Sequence, residues 1–373
     1  MKNKKILIGY LIGENNSGID KYILAIVNFF NKKNFEVGVL SSNSNIDVNY
    51  FENKYKIKIY IIHNLTHPIL QFKEIRNIIR QNNYKITYYN ISDCSNIMGI
   101  LASFFCKIKF RIVHSHSSSM NGKTLKKKIL YIFHLIFKQF IEYLCNIYLA
   151  CSKEAAEWMY NKRIFANKEI VYIFNYIDVK KFLYNAQCRE KVRAKYLWND
   201  KIILGHIGNF TETKNHNFVI EIFKQFIQIN PNSILILIGD GNLRSKIEKK
   251  VTENGLKDKV VFFGIRNDVN LLLQGMDIFL LPSISEGLPI SVIEAQVAGV
   301  DCFVSDTISK ESCISSSCHF LSLSKDAQYW AQYIKNNIQY RKNYDEKNFY
   351  KYDKSQLDIK LSMILKNNKI INS

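Results

Sequence analysis

Short apolar runs alternate along this chain with longer segments in which apolar residues recur every three or four positions. The short runs are typical of buried parallel strands, and the periodic segments are typical of amphipathic helices. In the first half the strand-like runs cover residues 5–10, 35–40, 56–61, 85–89, 110–114 and 147–150. In the second half they cover 202–207, 234–238, 260–263, 278–281 and 302–304. The order predicts repeated βαβ units, hence two doubly wound α/β domains.

Two of the periodic segments show the helical spacing most clearly. In residues 19–30 one stripe contains Tyr22, Ile23, Ile26, Val27 and Phe30. In the second half, a stripe of Phe218, Val219, Ile222, Phe223, Phe226 and Ile227 ends at Asn230-Pro231. Both stripes predict a helix packed on a sheet.

The length of 373 residues also suits two domains rather than one. We expect an N-terminal domain over residues 1–180, a C-terminal domain over 181–345, and a helical tail over 346–373. Periodicity leaves open whether this tail packs on the second domain or back on the first. The polar stretch from Asp178 to Asp200 is interpreted as the connector, and a cleft between the domains is the expected ligand site.

Composition narrows the class of protein. Hydrophobic residues make up 47% of the chain, which excludes a wholly disordered protein. The net charge of +20 indicates either a compositional bias towards lysine or an anionic substrate or membrane surface. No nucleic-acid motif accompanies the charge, so nucleic acid is not an expected partner. Eight cysteines without a C-x-x-C pair, and an N-terminal apolar run too short for a signal peptide, predict a cytoplasmic protein.

The longest apolar stretch, residues 129–144, follows a basic segment that includes Lys126, Lys127 and Lys128. His134 and Lys138 interrupt it well before the roughly 18 apolar residues that a membrane span requires. Two interpretations remain open. The stretch is either an interfacial segment that contacts an anionic membrane or a buried core helix with a basic flank.

The segment from Leu281 to Gly299 is the most informative for chemistry. Pro289 suits a helix start and Gly299 a helix end, which places Glu286 just before the helix. Glu294 then lies about five residues in, roughly 7.5 Å along the axis. The N–H groups at the helix start can bind an anion, and carboxylates accept hydrogen bonds from sugar hydroxyls. The layout suits an elongated ligand with a central diphosphate, although an ordinary capped helix has the same pattern.

A second candidate is Lys214, which follows a strand and precedes a helix, where a cation and free N–H groups can hold a phosphate. The alternative is a solvated loop lysine. Gly18 closes a glycine-containing loop after the first strand, and Gly239-Asp240-Gly241 follows another strand. Neither matches the G-x-G-x-x-G fingerprint, and the second is interpreted as a tight turn. A dehydrogenase is therefore poorly supported.

His114 and His116 follow the strand that ends near residue 114. Either could donate to a substrate hydroxyl, or could be a structural histidine. The chain has no Asp-x-Asp pair and no evident metal-ligand spacing. We therefore expect no metal and no cofactor.

Taken in order, the motifs resemble those of the family-four retaining glycosyltransferases of the GT-B fold, the glycosyl transferases group 1 of bacterial capsule, exopolysaccharide and lipopolysaccharide pathways. The resemblance is carried mainly by residues 205–306, which contain G-x-F-x-x-x-K-N-H, the Gly239-Asp240-Gly241 loop and the E-x7-E of Glu286 and Glu294. Weaker matches at 114–117, 150–156 and 175–182 extend it over most of the chain. It implies an α/β GT-B fold, with two Rossmann-like doubly wound domains that face a central cleft.

The resemblance also implies roles for individual residues. Glu294 would bind the ribose, Glu286 the donor sugar and Lys214 the diphosphate. His116, rather than His114, would lie near the donor sugar. The remaining donor-binding positions are Gly18, Arg266, Gly287, Leu288, Pro289 and Ile290, together with Asn209, which stands where the family usually has arginine.

The implied reaction is metal-independent, retaining transfer from a nucleotide sugar, most commonly a UDP-sugar, to a saccharide or an undecaprenyl-diphosphate-linked saccharide. The implied location is the cytoplasm, at the inner face of the membrane if the basic segment contacts lipid. Two alternatives stay open. One is a GT-B sugar-nucleotide epimerase, and the other, motivated by Asn209, is a weakly active or non-catalytic nucleotide-binding subunit.

Overall fold

The computed structural model describes residues 4–11, 18–118, 120, 124–174, 176–286, 288–339 and 344–371. The chain divides into two compact units. The first contains Met1–Asn175 and Leu357–Ser373, and the second contains Tyr176–Gln356. Each unit is built on its own parallel sheet, so the predicted pair of α/β doubly wound folds is confirmed.

The first unit has a seven-stranded sheet in the order β3-β2-β1-β4-β5-β6-β7. Its strands are β1 (Lys4–Gly9), β2 (Phe35–Ser41), β3 (Lys58–Ile61), β4 (Ile86–Ile91), β5 (Phe110–Ser115), β6 (Ile147–Ala150) and β7 (Ile170–Tyr172). Its helices are α1 (Gly18–Lys32), α2 (Val48–Tyr55), α3 (Pro68–Asn82), α4 (Met98–Phe105), α5 (Leu125–Lys138), α6 (Ile141–Leu144), α7 (Lys153–Met159) and α8 (Lys162–Asn167).

The second unit has a six-stranded sheet in the order β10-β9-β8-β11-β12-β13. Its strands are β8 (Ile202–Ile207), β9 (Ser233–Ile238), β10 (Val260–Gly264), β11 (Ile278–Leu281), β12 (Asp301–Ser305) and β13 (Cys318–Leu321). Its helices are α9 (Val179–Phe182), α10 (Ala186–Lys195), α11 (His216–Ile229), α12 (Arg244–Glu253), α13 (Val269–Gly275), α14 (Ile290–Val297) and α15 (Ala327–Asn337), with short 3-10 helices at Glu212–Lys214, Lys310–Ser312 and Glu346–Tyr352.

The eleven strands read from the sequence all form, and each bound lies within two residues of the prediction. The two strands that the pattern missed, β7 and β13, lie at the outer edges of their sheets. Both are short, and most of their side chains are only partly buried. Short, partly buried edge strands of this kind give a weaker signal than the buried central strands of a parallel sheet.

Both helical stripes are confirmed. In α1, the apolar residues Tyr22, Ile23, Ile26, Val27 and Phe30 are all buried. In α11, Val219, Ile222, Phe223 and Phe226 are buried, and Phe218 and Ile227 pack at the margin of the same core. Burial of one apolar stripe against a sheet is the main source of stability for helices of this length.

The tail divides between the two units. Residues 346–352 lie within the second unit, and the chain rejoins the first unit at Leu357, within the last helix, α16 (Ser355–Asn367). Leu357, Leu361 and Ile364 of α16 are buried. The amine of Lys360 donates to the carbonyl oxygen of Tyr172, 2.5 Å away.

The proposed connector, residues 178–200, is not a linker. It forms α9 and α10, which belong to the second unit. Helix α10 is held to the rest of that unit by buried ion pairs. Arg189 and Arg193 of α10 contact the carboxylate of Asp277 at 2.5 and 3.0 Å. The same carboxylate accepts a bond of 2.8 Å from the backbone N–H of Ile203. The prediction was wrong because a polar composition can mark a solvated segment or, as here, charges that are paired inside the fold.

Substitution of Asp277 by alanine should lower the free energy of unfolding by about 3 kcal/mol or more, because it leaves two largely buried guanidinium groups without a counter-charge. Urea denaturation of the full chain measures this. The control is Glu253→Ala, which removes an exposed pair with Lys249 at 3.7 Å and should cost less than about 1 kcal/mol. Equal effects of the two substitutions would contradict the structural role of Asp277.

Candidate functional site

The strand order of the second unit reverses between β8 and β11. Strands β9 and β10 lie on one side of β8, whereas β12 and β13 lie beyond β11. In doubly wound sheets, ligands bind outside the carboxyl ends of the strands at such a switch point. The loops that follow β8 and β11 carry Lys214 and Glu286 respectively.

Lys214 and Glu286 are brought together by these loops. The amine of Lys214 lies 2.6 Å from Oε1 of Glu286, and both side chains are about four-fifths buried. The hydroxyl of Ser283 donates to the same carboxylate oxygen over 2.9 Å. This charge-assisted contact holds one cation and one carboxylate in fixed positions at the switch point.

Backbone contacts join the two loops independently of this ion pair. The N–H of Ile284 donates to the carbonyl of Thr213 over 2.8 Å. The side-chain amide of Asn215 donates to the carbonyl of Pro282 over 3.1 Å. Asn215 itself has a left-handed backbone conformation with φ 54° and precedes the first residue of α11. Lys214 is therefore positioned directly before the N-terminus of a long helix.

The end of β12 and the loop after it support the Glu286 loop from its other side. The carbonyl oxygen of Ser283 accepts bonds from the hydroxyls of Ser305, at 2.5 Å, and Thr307, at 2.8 Å. Glu286 also pairs with Ile308 in an isolated parallel bridge. Three neighbouring strands thus contribute to the placement of one carboxylate.

Two glycines allow the Gly239-Asp240-Gly241 turn to pack against the start of the Lys214 loop. A Cβ atom on Gly239 would lie 2.1 Å from the carbonyl oxygen of Gly208, and one on Gly241 would lie 2.7 Å from that of Phe210. The N–H of Phe210 donates to the carbonyl of Asp240 over 2.9 Å. The geometry explains why glycine is needed at these positions.

The second glutamate lies on α14. Pro289 is the residue immediately before this helix rather than a member of its first turn, and Gly299 follows its end with φ 71°. Glu294 is half-buried at the fifth helical position, and Leu288 is buried. Gly287 lies outside the described residues.

Two arginines of the second unit, Arg266 and Arg244, have acidic partners. Arg266 forms two bonds of 2.8 and 2.6 Å with Asp268. Arg244 donates to Glu248 over 2.8 Å and lies 3.5 Å from Asp240. Asn209 itself is exposed.

A buried histidine pair beneath Lys214 was missed at the level of sequence. His216, the first residue of α11, stacks on Phe210 at 4.0 Å and meets the ring of His206 edge-on at 4.4 Å. Burial, and then the nearby cation of Lys214, lower the pKa of His216 to about 4. The K-N-H motif contained the signal, but no pattern distinguishes a buried histidine from an exposed one. The pair acts as neutral packing under the Lys214 loop.

The remaining candidates belong to the first unit. His114 is fully buried and bonded to the hydroxyl of Tyr88 at 3.1 Å, and burial lowers its pKa well below the usual range. The possibility that His114 faces substrate is therefore contradicted. His116 is half-buried, and its Nε2 lies 3.0 Å from the side-chain oxygen of Asn90. Asn90 in turn donates to the carbonyl of Gly9.

These contacts place His116 near the switch point of the first sheet, where β1 and β4 are neighbours. Gly18 is the first residue of α1, and the loop before it is outside the described ranges. Among the residues that the structure describes, no three His, Cys, Asp or Glu side chains are grouped closely enough to hold a metal ion.

The fold resembles that of several solved glycosyltransferases. The structure of Anabaena Alr3699/HepE in complex with UDP and glucose matches with a TM-score of 0.77 at 14% identity, covering 97% of this chain and 99% of that one. Sucrose-phosphate synthase from Thermosynechococcus elongatus matches with a TM-score of 0.75 at 14% identity, covering 98% of this chain and 99% of that one. The architecture is therefore the GT-B fold, as the sequence motifs implied.

The sequence comparisons agree with this class. Putative glycosyltransferase EpsF of Bacillus subtilis (strain 168) is 27% identical over 72% of this chain and 70% of its own length. The UDP-Gal:alpha-D-GlcNAc-diphosphoundecaprenol alpha-1,3-galactosyltransferase of Escherichia coli is 23% identical over 80% of this chain and 78% of its own length. Residues 188–354 match the family model Glycosyl transferases group 1. This region, which lies within the second unit, belongs to that family of glycosyltransferases, and the resemblance is confirmed.

The depressed pKa of His216 predicts a specific acid sensitivity. Unfolded His216 takes up a proton near pH 6.5, whereas the folded chain resists protonation until about pH 4. The unfolded state therefore binds more protons between these values, and stability falls as the pH is lowered from 6.5 to 4. Urea denaturation at a series of pH values should show that the free energy of unfolding of His216→Gln falls less than that of the wild type between pH 6.5 and 4. Above pH 7.5 the two proteins should show the same dependence on pH. An unchanged slope below pH 6.5 would contradict the assignment.

Proposed function

We propose that this chain transfers a glycosyl group, with retention of anomeric configuration, from a UDP-sugar to a saccharide or an undecaprenyl-diphosphate-linked saccharide in cell-surface polysaccharide biosynthesis. The observation that carries the proposal is the 2.6 Å contact of Lys214 with Glu286 at the switch point of the second sheet. The contact joins a cation and a carboxylate, and α11 and α14 begin shortly after these two residues, at His216 and Ile290. A nucleoside diphosphate sugar offers the matching groups, namely two phosphates and a sugar ring that carries hydroxyl groups.

In the proposed complex, Lys214 and the first N–H groups of α11 bind the diphosphate. As the bond from the anomeric carbon to the diphosphate oxygen breaks, its electron pair remains on that oxygen, and Lys214 stabilises the developing charge. The carboxylate of Glu286 accepts hydrogen bonds from the donor sugar, and that of Glu294 accepts them from the ribose. The 2.6 Å contact holds the side chains of Lys214 and Glu286 in position before substrate arrives.

The acceptor hydroxyl then attacks the anomeric carbon from the face that the diphosphate leaves. Its proton passes to the departing phosphate oxygen, so that charge and atoms balance. His116, held by Asn90 at 3.0 Å, is assigned to the donor sugar. No carboxylate in the motif set is an evident covalent nucleophile, which favours this front-face path over double displacement.

The relatives support the choice of donor and acceptor. The Escherichia coli relative is named for transfer from UDP-Gal to a diphosphoundecaprenol-linked sugar. A relative from Campylobacter jejuni, 28% identical over 60% of this chain, is named for transfer to a diphospho-undecaprenol-linked acceptor. In the proposed mechanism the positive charge that the diphosphate requires comes from Lys214 and from helix N-termini rather than from a metal ion.

Calorimetry with UDP, GDP, ADP and uridine tests the assignment of the nucleotide site. We expect UDP to bind most tightly of the four ligands. Lys214→Ala should lower the affinity for UDP by about 10- to 150-fold through loss of a charge-assisted contact, and it should leave the affinity for uridine unchanged. Glu294→Ala should weaken both ligands, because it acts on the ribose. Lys249→Ala, which removes an exposed lysine of α12, is the control. Absence of nucleotide binding, or equal effects of Lys214→Ala on UDP and uridine, would refute the site.

Asn209→Arg tests the cost of the missing family arginine. Because Arg244 and Arg266 are already paired with carboxylates, we expect the new cation to raise the rate of UDP release from a UDP-sugar by about 10- to 100-fold. The rate of UDP release is measured with UDP-glucose, UDP-galactose and UDP-N-acetylglucosamine, each in EDTA and in magnesium. We expect activity to persist in EDTA. Asn209→Gln is the size control. UDP binding without turnover in either variant would instead identify a non-catalytic subunit.

A further inference from the structure

The burial of α5 is the reverse of that of an ordinary surface helix. Of its fourteen residues, all of which the structure describes, only His134 is buried. Seven large apolar side chains are exposed: Leu125, Ile129, Tyr131, Ile132, Phe133, Leu135 and Ile136. The structure therefore excludes the interpretation of this stretch as a buried core helix.

His134 attaches the helix to the first unit. Its Nδ1 accepts the backbone N–H of Cys94 over 3.1 Å, and its ring stacks on Trp158 at 4.0 Å with an interplanar angle of 14°. Burial lowers the pKa of His134 to about 4, so the ring is neutral near pH 7. A polar ring thus fixes the inner side of α5 together with the partly buried Phe137, and the seven large apolar side chains are left exposed.

The exposed apolar residues form a continuous stripe. Leu125, Ile129, Ile132 and Ile136 follow one another at intervals of four, three and four residues, so they share one side of the helix. Exposed Phe140 and Tyr143 continue the spacing beyond the end of α5. We call these six residues the α5 stripe.

Positive charge lies at both ends of the α5 stripe. Lys126, Lys127 and Lys128 are exposed in the first turn of α5. At the other end, a surface pocket of about 810 Å³ is lined by Lys138, Gln139, Glu157, Tyr160, Asn161, Lys162, Arg163 and Phe165. Its three cations face one carboxylate, that of Glu157, which lies 3.9 Å from Lys153. The sequence has no Asp or Glu from residue 94 to residue 141.

Arg163 connects this basic pocket to the α5 stripe, since its guanidinium donates to the hydroxyl of Tyr143 over 3.2 Å. Lys138, the last residue of α5, is bonded to the carbonyl of Glu157 over 2.7 Å and is half-buried beside the pocket. Apolar side chains, an aromatic hydroxyl and cations thus follow one another across one surface. This order suits a lipid monolayer, in which the apolar side chains would meet acyl chains, the aromatic hydroxyl would lie at the interface and the cations would meet phosphates.

The geometry favours a lipid surface over the other possible occupants. A helix of fourteen residues is about 21 Å long, short of a bilayer core of about 30 Å, and no helix in the described ranges could cross a membrane. A second copy of the chain fits poorly. Parallel packing would bring Lys126–Lys128 against their own copies, and antiparallel packing would bring them against Lys162 and Arg163.

We propose that the α5 stripe inserts into the surface of an anionic phospholipid bilayer, with headgroup phosphates contacting Lys126–Lys128 at one end and the basic pocket at the other. This docking requires neither nucleotide nor acceptor, and so it can be tested separately from the transferase activity.

Flotation of the full chain with vesicles, without nucleotide, is the test. One set contains phosphatidylcholine alone, and the other contains phosphatidylcholine with about 30% of the anionic lipid phosphatidylglycerol. We expect flotation with the anionic vesicles and at least a tenfold weaker association with the neutral ones. Ile132→Glu/Ile136→Glu should abolish it, and Lys162→Ser/Arg163→Ser should weaken it.

Matched control variants remove the same types of exposed side chain from the second unit. Leu197→Asn removes an exposed leucine of the second unit, and Lys246→Ser/Lys249→Ser/Lys257→Ser removes three exposed lysines. Both should float as the wild type does. All the substituted residues are exposed, so circular dichroism melting curves should remain unchanged.

Three results would overturn the proposal. The first is no flotation with either vesicle, and the second is flotation that the α5 and basic-pocket variants do not alter. The third is a concentration-dependent dimer in sedimentation velocity that Ile132→Glu/Ile136→Glu dissociates, together with no flotation. That last outcome would assign the α5 stripe to a second copy of the chain.

Discussion

The reversal of strand order between β8 and β11 is the constraint on which the second unit depends. A doubly wound sheet is built outward in both directions from its centre, and the connections on the two sides pass over opposite faces. At the reversal, the carboxyl ends of two adjacent strands are therefore left without a covering connection. Lys214 and Glu286 are distant in sequence, but they follow these two strands, and the topology makes them neighbours.

The position of the ion pair is set mainly by backbone contacts. The bond from Ile284 to Thr213 and the approach of Gly239 to the carbonyl of Gly208 leave the loops little freedom. Side chains could not replace the glycines without displacing the backbone. A cation held in this way does not have to be ordered when an anion arrives, so less binding energy is lost to conformational entropy. The neutral, buried ring of His216 contributes by filling the space beneath the loop.

In the first unit, α5 keeps apolar side chains exposed although the helix is attached to the fold. Exposure of the α5 stripe to water is unfavourable, because each apolar side chain loses about 25 cal/mol for every square ångström left in contact with solvent. The helix is nevertheless anchored, through the stacking of His134 on Trp158 and the bond from Cys94. A neutral polar anchor and an apolar outer side orient the helix without burying it.

Most of the fold could be predicted because parallel strands and their helices leave local periodic signals. The central strands, the stripes of α1 and α11, and the motif order were all evident in the sequence. Two of the edge strands, β7 and β13, were not, since short and partly buried strands give a weaker signal. Composition also misled at residues 178–200, where Arg193 is buried because Asp277 provides its counter-charge.

The sequence by itself determined which residues could carry chemistry and which strands and helices they would follow, because motif spacing and periodicity are local properties. Only the tertiary structure decided which of these groups meet. It paired Lys214 with Glu286, buried His114 while leaving His116 beside Asn90, and turned the apolar side of α5 outward. Such outcomes depend on contacts between segments far apart in the chain, and no local pattern contains the geometry of those contacts.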